Sequence, residues 1–386
     1  MKRILLRLRP STSSGHRSGQ ALPLILAVGL VILSVALPTL LKGQQYWLFI
    51  AIQAYFYAML ASSWALLAGY AGQFSFGHIA FMAIAAYTSG ILGRDLGWSP
   101  VSGIIAGTLM AGVVGLVIGY LCLRLRRTYL ALFTIAFAEI FRLAINAELD
   151  LTGGPMGLYM DYLLDTTSYV PYYFVMLGLL LGSLAFMYWL ANSRFGLFFR
   201  SIREDEEAAA AMGVHIVRYK IMAFVVTSMI AGLAGAVDHH FIGFIAPTEL
   251  MIGRMSLIIA MAVVGGIESL AGAALGAIFI HFSLEWLQQI PVPASLMPKL
   301  IEMKPMLERF GMGVGERGLM TYAWRMVAFG LLLMLTLRFW RNGLIHPLID
   351  RLTRQRAREA TVAKRIQAAE VASSPTSEEA PGGVEP

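Results

Sequence analysis

Long apolar runs, divided by short polar stretches, set the layout of the chain. They cover Ala21–Leu41, Tyr46–Ala68, Ile79–Leu92, Pro100–Leu123, Thr128–Ile145, Tyr172–Ala191, Ile221–Phe241, Met255–Leu284 and Tyr322–Trp340. A membrane-crossing helix needs about 20 apolar residues. Most runs meet that length, Ile79–Leu92 is short, and Met255–Leu284 is too long for one span and too short for two. Two runs are interrupted by glycines, at Gly69-Tyr-Ala-Gly-Gln-Phe-Ser-Phe-Gly-His78 and at Gly265-Gly266-Ile-Glu268-Ser-Leu-Ala-Gly272. Irregular backbone at membrane depth persists only where protein buries it or where it lines a wet cavity. The first interruption therefore reads either as a break between helices, with Gln73, Ser75 and His78 bordering a path, or as a tight turn at the membrane face. The second reads as two half-helices meeting at Gly265 and Gly266. The pattern predicts an all-α polytopic membrane protein with about eight to ten transmembrane or re-entrant helices.

The most polar interior segment, Ser193–Lys220, carries its own helix punctuation. Ser201 and Glu204 have the spacing of a capping box. Glu204, Asp205, Glu206 and Glu207 place negative charge at the positive end of a helix dipole. Ala208–Ala211 favour helix, and Gly213 accepts the left-handed conformation that ends one. The expectation is one short helix over Ile202–Gly213 on the membrane surface, with Arg194, Arg200, Arg203, Arg218 and Lys220 around it. Elsewhere, Gly115 and Gly119 have the GxxxG spacing of closely packed helices. Glu139 and Arg142 lie three residues apart on one helical face, either as a pair lining a path or as a snorkelling pair at the interface. Asp150–Pro171 and Gln288–Thr321 read as loops, and Asp238-His239-His240 as a polar helix end at the outer surface.

Composition sharpens this picture. The 386 residues are 58% hydrophobic and only 14% charged, with mean hydropathy +0.68, against about 25% charged in a soluble domain. The net charge of +7 is explained by cations gathered in cytoplasmic loops and tails. No basic stripe with interleaved aromatics points to nucleic acid. The charge asymmetry puts the basic N-terminus (1–20), the loop 192–220 and the basic tail (343–386) in the cytoplasm, flanking a membrane domain over 21–342. The low-complexity end Ser373–Pro386 has the composition of a disordered segment. Cys122 is the only cysteine, so there is no internal disulfide and no cysteine metal cluster. Thr152-Gly-Gly-Pro-Met-Gly157 is glycine-rich, but the chain has no P-loop motif, so it is not expected to bind ATP itself. No cofactor or metal is implied. No nucleophile–base constellation supports an enzyme.

Several segments, taken in order, carry a resemblance. They are Gly72-Gln-Phe-Ser-Phe-Gly-His-Ile-Ala-Phe81 with Ala86-Tyr-Thr88, Leu123-Arg-Leu-Arg126 with Tyr129, and Leu151-Thr-Gly-Gly154 with Gly157. Ser193-Arg-Phe-Gly196, Ile202-Arg-Glu-Asp-Glu206, Met212-Gly213, Lys220, Ala223-Phe224, Gly232-Leu-Ala-Gly235, Val264-Gly-Gly266 and Gly276-Ala277 follow. From the second span to the last, the chain resembles the LivM-type permeases of branched-chain amino acid ABC importers. The resemblance implies that Ile202–Gly213 is a coupling helix, with Ser201, Arg203, Glu204, Asp205, Glu206 and Gly213 as its ATPase-facing residues. It also implies four kinds of partner: a second, LivH-like permease subunit, two cytoplasmic ABC ATPase subunits, an extracytoplasmic solute-binding protein, and the lipid of a bacterial cytoplasmic membrane. Ala210, His215 and Glu268 depart from the usual pattern, and the tail after Gly343 extends beyond the family core.

Two other readings stand beside this one. A permease of the same architecture for urea or short amides differs only in solute. An ATP-independent secondary carrier needs intramembrane ionisable residues, for which Glu139, Arg142, Asp238 and Glu268 are the candidates.

Overall fold

The structure is a computed structural model that describes residues 21–40, 43–122, 127–288, 330, 331 and 334. The basic N-terminus, the loop and last span expected across 289–340 (those three residues apart) and the tail 343–386 lie outside the described residues. The chain divides into two units, Met1–Leu33 with Pro347–Pro386, and Ser34–His346. Of the first, the described part is the beginning of helix α1 (Ala21–Leu40), where Ile32 and Leu33 are exposed.

The second unit is built around α2 (Gln45–Ala65), which tightens into a π turn over Leu66–Tyr70. Every residue from Ile50 to Leu67 is buried. A helix apolar on all sides has no face to give to water and becomes the core element. Around it pack α7 (Tyr169–Asn192), α10 (Ile216–Ile242), α11 (Ile252–Gly265) and α12 (Leu270–Gln288). Two tyrosines inside this core pair with each other. The Tyr55 and Tyr173 hydroxyls are 2.6 Å apart, and Tyr173 donates to the Ser34 carbonyl at 2.6 Å.

A second cluster joins α3 (His78–Leu96), α4 (Pro100–Leu121) and α10. Pro100 opens α4 behind the cap Ser99, whose hydroxyl accepts from the Ser102 amide. On α4, Gly107 meets the Ala85 carbonyl of α3, while Gly115 meets Ser228 of α10. A Cβ at either glycine would occupy its neighbour's space. Gly115, with Gly119 against Phe224 and Ile221 of α10, makes the close helix approach that the GxxxG spacing predicted. The opposite side of α4 exposes Val101, Ile105, Leu109, Val113 and Leu116, an apolar stripe suited to lipid.

Five described helical stretches are long and apolar enough to cross a membrane: Gln45–Tyr70, Pro100–Leu121, Tyr129–Ala147, Tyr169–Asn192 and Ile216–Ile242. The pair α11 and α12, bent by 119° at its break, makes a sixth if it is counted as one span. The described residues thus account for five or six of the eight to ten helices expected. The glycine interruption does divide Met255–Leu284 into two half-helices.

Between the spans, α5 (Arg127–Ala147) leads through the one-turn α6 (Leu149–Thr152) and a 3-10 turn, Gly154–Met156, to strand β1 (Leu158–Tyr159). β1 pairs antiparallel with β2 (Phe244–Ile245), matching Leu158 with Ile245 and Tyr159 with Phe244. This small ribbon is the one departure from an all-α fold among the described residues.

The ribbon also corrects the reading of Asp238-His239-His240. The three residues are buried, not a polar end at the surface. The segment after β1 folds over the end of α10, with the Met160 amide donating to Gly243 and the Leu163 amide to His240. Inside, Gln53 Nε2 donates to Asp238 Oδ1 at 2.7 Å, and His240 bonds both Ser89 and the Asp161 carbonyl at 2.6 Å. No group of three or more metal-ligating side chains occurs among the described residues.

The α3–α4 contact yields a paired expectation. Gly107→Leu overpacks it and should cost about 1–3 kcal/mol, read as a lower midpoint in thermal unfolding of the detergent-solubilised protein. Gly178→Leu on α7, where a Cβ meets nothing within 4 Å, should leave the midpoint unchanged or raise it, because Leu is the better helix former by about 0.8 kcal/mol.

Candidate functional site

The two glycine breaks, almost 200 residues apart by sequence numbering, meet in space. At the first, the chain leaves the π turn with the Ala71 amide on Leu66 O and the Gln73 amide on Leu67 O. Trp64 Nε1 donates to the Ser75 carbonyl at 2.7 Å, the Phe76 amide to Thr134 Oγ1 at 2.9 Å, and the Gly77 amide to Ser75 Oγ at 3.0 Å. At the second, Gly266 has φ +112 and Ser269 caps α12, accepting from the Gly272 amide at 3.0 Å. Gly69 lies directly against the Ile267 carbonyl, and a side chain there would displace it. Gly265 packs on Gly272 in the same way, a contact point between the two half-helices.

Over this junction sits a surface pair of helices, α8 (Arg194–Glu204) and α9 (Glu206–Ala211). The single helix expected over Ile202–Gly213 is therefore two. Ser201 lies within α8, its hydroxyl donating to the Phe198 carbonyl, so the capping box is not formed. The start of α8 is capped instead by Ser193, which accepts from the Phe195 amide. The chain turns at extended Asp205, whose Oδ1 accepts from the Glu207 and Ala208 amides at 2.9 and 3.0 Å. An Asp cap with two amides outcompetes continuation of the helix. Gly213, at φ +84, ends α9 in the left-handed conformation expected of it.

The pair is held at three places. Phe198 stacks on Tyr219 at the start of α10, with centroids 4.6 Å apart. Lys220 Nζ binds Glu206 Oε1 at 2.7 Å. Arg203 Nη1 donates to the Gly69 carbonyl at 2.5 Å and to Glu268 Oε1 at 3.1 Å, while its Nη2 reaches Glu204 at 2.7 Å. One guanidinium thus satisfies a carbonyl freed by the first break and binds the carboxylate of the second. The hydrogen bond that Arg203 donates to Glu204, with help from Glu268, raises the pKa of Arg203 and keeps it charged. Arg200 lies over the Tyr70 ring, 5.1 Å from its centroid.

A cavity of 480 Å³ runs between this pair and the first break, lined by Gln73, Arg203, Glu204, Asp205, Glu206 and Lys220, among others. Gln73 thus shares a cavity with four of the predicted coupling residues. Ser75 and His78 are fully buried, and neither lines that cavity. Neither ring nitrogen of His78 has a hydrogen-bond partner among the described residues.

The α5 charges form a second polar feature. Arg142 Nε and Nη2 donate to the two Glu139 oxygens at 2.9 and 2.5 Å. They line a separate cavity of 660 Å³ with Tyr57, Glu249 and Arg254. Arg254 pairs with Glu249 and donates from Nε to the Tyr57 hydroxyl at 3.0 Å. Sequence reasoning placed Gly69 in the first interruption, named Glu268 as an ionisable candidate and as a departure from the usual pattern, and missed Glu249 and Arg254. Arg254 had a signal, as a lone cation at the head of the apolar stretch Met255–Val264.

Helices of this length and apolarity, closed around a buried central helix, define a multi-pass helical membrane protein. Residues 46–337 match the family described as branched-chain amino acid transport system / permease component, and the chain belongs to that family. The resemblance drawn from its motifs is borne out. The chain is 28% identical over 303 residues to the high-affinity branched-chain amino acid transport system permease protein LivM of Escherichia coli (strain K12), covering 70% of each. To LivH of the same organism it is 26% identical over 249 residues, 58% of this chain and 79% of that one. To the autoinducer 2 import system permease protein LsrC of Yersinia pseudotuberculosis it is 31% identical over 199 residues, 49% of this chain and 55% of that one. No solved structure matches.

If Arg203 holds both breaks, Arg203→Met should loosen both. A hydrogen bond to a charged group contributes about 1.5–3 kcal/mol. Amide exchange over Gly69–Gly77 and Gly266–Ser269 should therefore accelerate about tenfold or more, with exchange in α4 unchanged.

Proposed function

We propose that this chain is a transmembrane permease subunit of an ABC importer. It forms half of the translocation path for branched-chain or other small amino acids. ATP hydrolysis on two partner subunits drives it, and a second permease subunit and an extracytoplasmic binding protein complete the importer. It resides in the bacterial cytoplasmic membrane with both termini inside, and performs no covalent chemistry of its own.

The observation that carries this reading is the triple attachment of α8–α9. A segment that only linked two spans would need no guanidinium reaching two separate helix breaks. An element that receives motion from outside the membrane does need such contacts, because a displacement is transmitted only where the parts move as one body. The Asp205 cap and the Gly213 terminus give α9 a fixed start and a fixed end. Tyr219 and Lys220 tie the pair to α10, and Arg203 ties it to the two breaks. Movement of α8–α9 by a docked ATPase would thus pull on the places where the membrane helices are already interrupted. The relatives whose printed names specify branched-chain amino acids match over longer stretches than LsrC does, which favours amino acids as the cargo.

Asp205→Ala removes the α9 cap at a cost of about 1 kcal/mol, and Gly213→Val forces a β-branched residue into the left-handed region at a cost of about 1–2 kcal/mol. Both losses are too small to unfold the membrane bundle. Both variants should insert normally, yet recover less ATPase on copurification and take up less solute. Wild-type values for both measurements would rule out the coupling role.

Orientation is checked separately by thiol labelling from outside intact cells. A Ser168→Cys variant should react and a Ser201→Cys variant should not; reaction at position 201 would reverse the proposed topology.

A further inference from the structure

The cavity between α5 and the start of α11 holds four charges that the coupling apparatus does not use. On α5, Leu130, Thr134, Ala138 and Ile145 form the buried face, and Tyr129, Leu132, Ile140 and Leu143 form an exposed apolar face. Glu139 and Arg142 lie on the flank between them, with side chains 46% and 23% exposed. Glu139 is close to the midpoint of the span Tyr129–Ala147. At 1.5 Å per residue it stands about 15 Å from one end and about 12 Å from the other, while Arg142 stands about 7.5 Å from the nearer end. Charges at that depth face protein or water, not hydrocarbon, and mark solute pathways.

Opposite them stand Glu249 and Arg254. Arg254 is oriented by Tyr57, through a hydrogen bond of 3.0 Å and a guanidinium 5.7 Å from the ring centroid. Leu257 adds an apolar surface to the same cavity. Its 660 Å³ falls within the range of roughly 300–1,000 Å³ typical of small-molecule sites.

We propose that this cavity is a solute subsite that selects a zwitterionic α-amino acid. The two guanidinium groups receive its carboxylate, the two carboxylates receive its ammonium group, and Leu257 meets its side chain. The charge balance carries the selectivity. Two cations and two anions leave the site neutral, and a zwitterion entering between the pairs exchanges partners without changing that balance. A solute with one net charge leaves an uncompensated charge away from bulk water, which is costly. A neutral amide offers no charge with which to open either pair. This deepens the permease reading and rests on it for the expectation that solute reaches the cavity.

The test uses the purified full-length chain without ATPase, so that a failure of coupling leaves the measurement intact. Gly253 lines the cavity, and a Cβ there meets nothing within 4 Å. Gly253→Cys in a Cys122→Ala background offers one thiol to a methanethiosulfonate reagent. Three probes share an apolar skeleton: leucine, isovalerate and isobutylamine. For a site with a dissociation constant of about 1 mM, leucine at about 10 mM slows labelling about tenfold by mass action, and the two singly charged probes leave the rate unchanged. Adding Glu139→Gln with Arg142→Gln, or Glu249→Gln with Arg254→Gln, removes the protection. The swapped pair Glu139→Arg with Arg142→Glu, which keeps both charges, retains it. A thiol that never reacts, equal protection by all three probes or by none, or protection that survives both neutralised pairs would each overturn the proposal. If a neutralised pair fails to fold, the three-probe comparison decides alone. Wild-type ATPase copurification and uptake in Asp205→Ala and Gly213→Val, alongside normal leucine protection, would count against the coupling role and not against this site.

Discussion

A backbone carbonyl or amide inside a membrane must find a partner within the protein. This chain interrupts two of its membrane helices, and much of its remaining structure answers that demand. The first break is stitched by Trp64, Thr134 and the Ser75 hydroxyl, and the second by Ser269 at the head of α12. One acceptor, the Gly69 carbonyl, receives its donor from outside the membrane helices altogether, from Arg203 on α8. The surface pair α8–α9 therefore completes the membrane part as well as decorating it. In the proposed role, the same dependence makes the pair an effective handle.

Small residues make the breaks affordable sterically. Gly69 on Ile267 and Gly265 on Gly272 let irregular backbone segments approach without side chains between them, and Gly107 and Gly115 do the same for α4 against its neighbours. In lipid the hydrophobic effect does not drive helices together, so close backbone packing must hold them. The glycine positions are hence where the bundle has least tolerance for added volume. Glycines on the outer helix α7, Gly178 and Gly182, meet nothing within 4 Å and have no such role.

Several ionisable side chains within the helices also have partners. Asp238 is met by Gln53, Glu139 by Arg142, and Arg254 by Glu249 and Tyr57. A charged side chain at the centre of a membrane helix costs about 2.5–3.5 kcal/mol on insertion scales. The charges of the two ion pairs, Glu139 with Arg142 and Glu249 with Arg254, are offset locally, and both pairs face one cavity. Paired charge at membrane depth with access to space is what separates a polar pathway from a polar core.

The sequence by itself determined the class. Runs of about 20 apolar residues admit few alternatives to spans, glycine clusters within them mark breaks, and Gly213 marks a helix end, because each of these is a local property of the chain. It also carried the family, through motifs whose order survives without any contact being known. It misplaced the start of the surface helix, since Ser201 with Glu204 and Asp205 with the two amides after it are competing caps, and only the packing of Phe199 and Ile202 inward made α8 run on to Glu204. It put Asp238-His239-His240 at the surface, since nothing local says that a ribbon between β1 and β2 will fold over that helix end. The contact of Gly69 with Ile267, the reach of Arg203 to both breaks and the meeting of Glu139 with Arg254 in one cavity were decided by tertiary structure alone. They join residues from 65 to almost 200 positions apart by sequence numbering, and no periodicity or spacing encodes which distant partner a side chain will find.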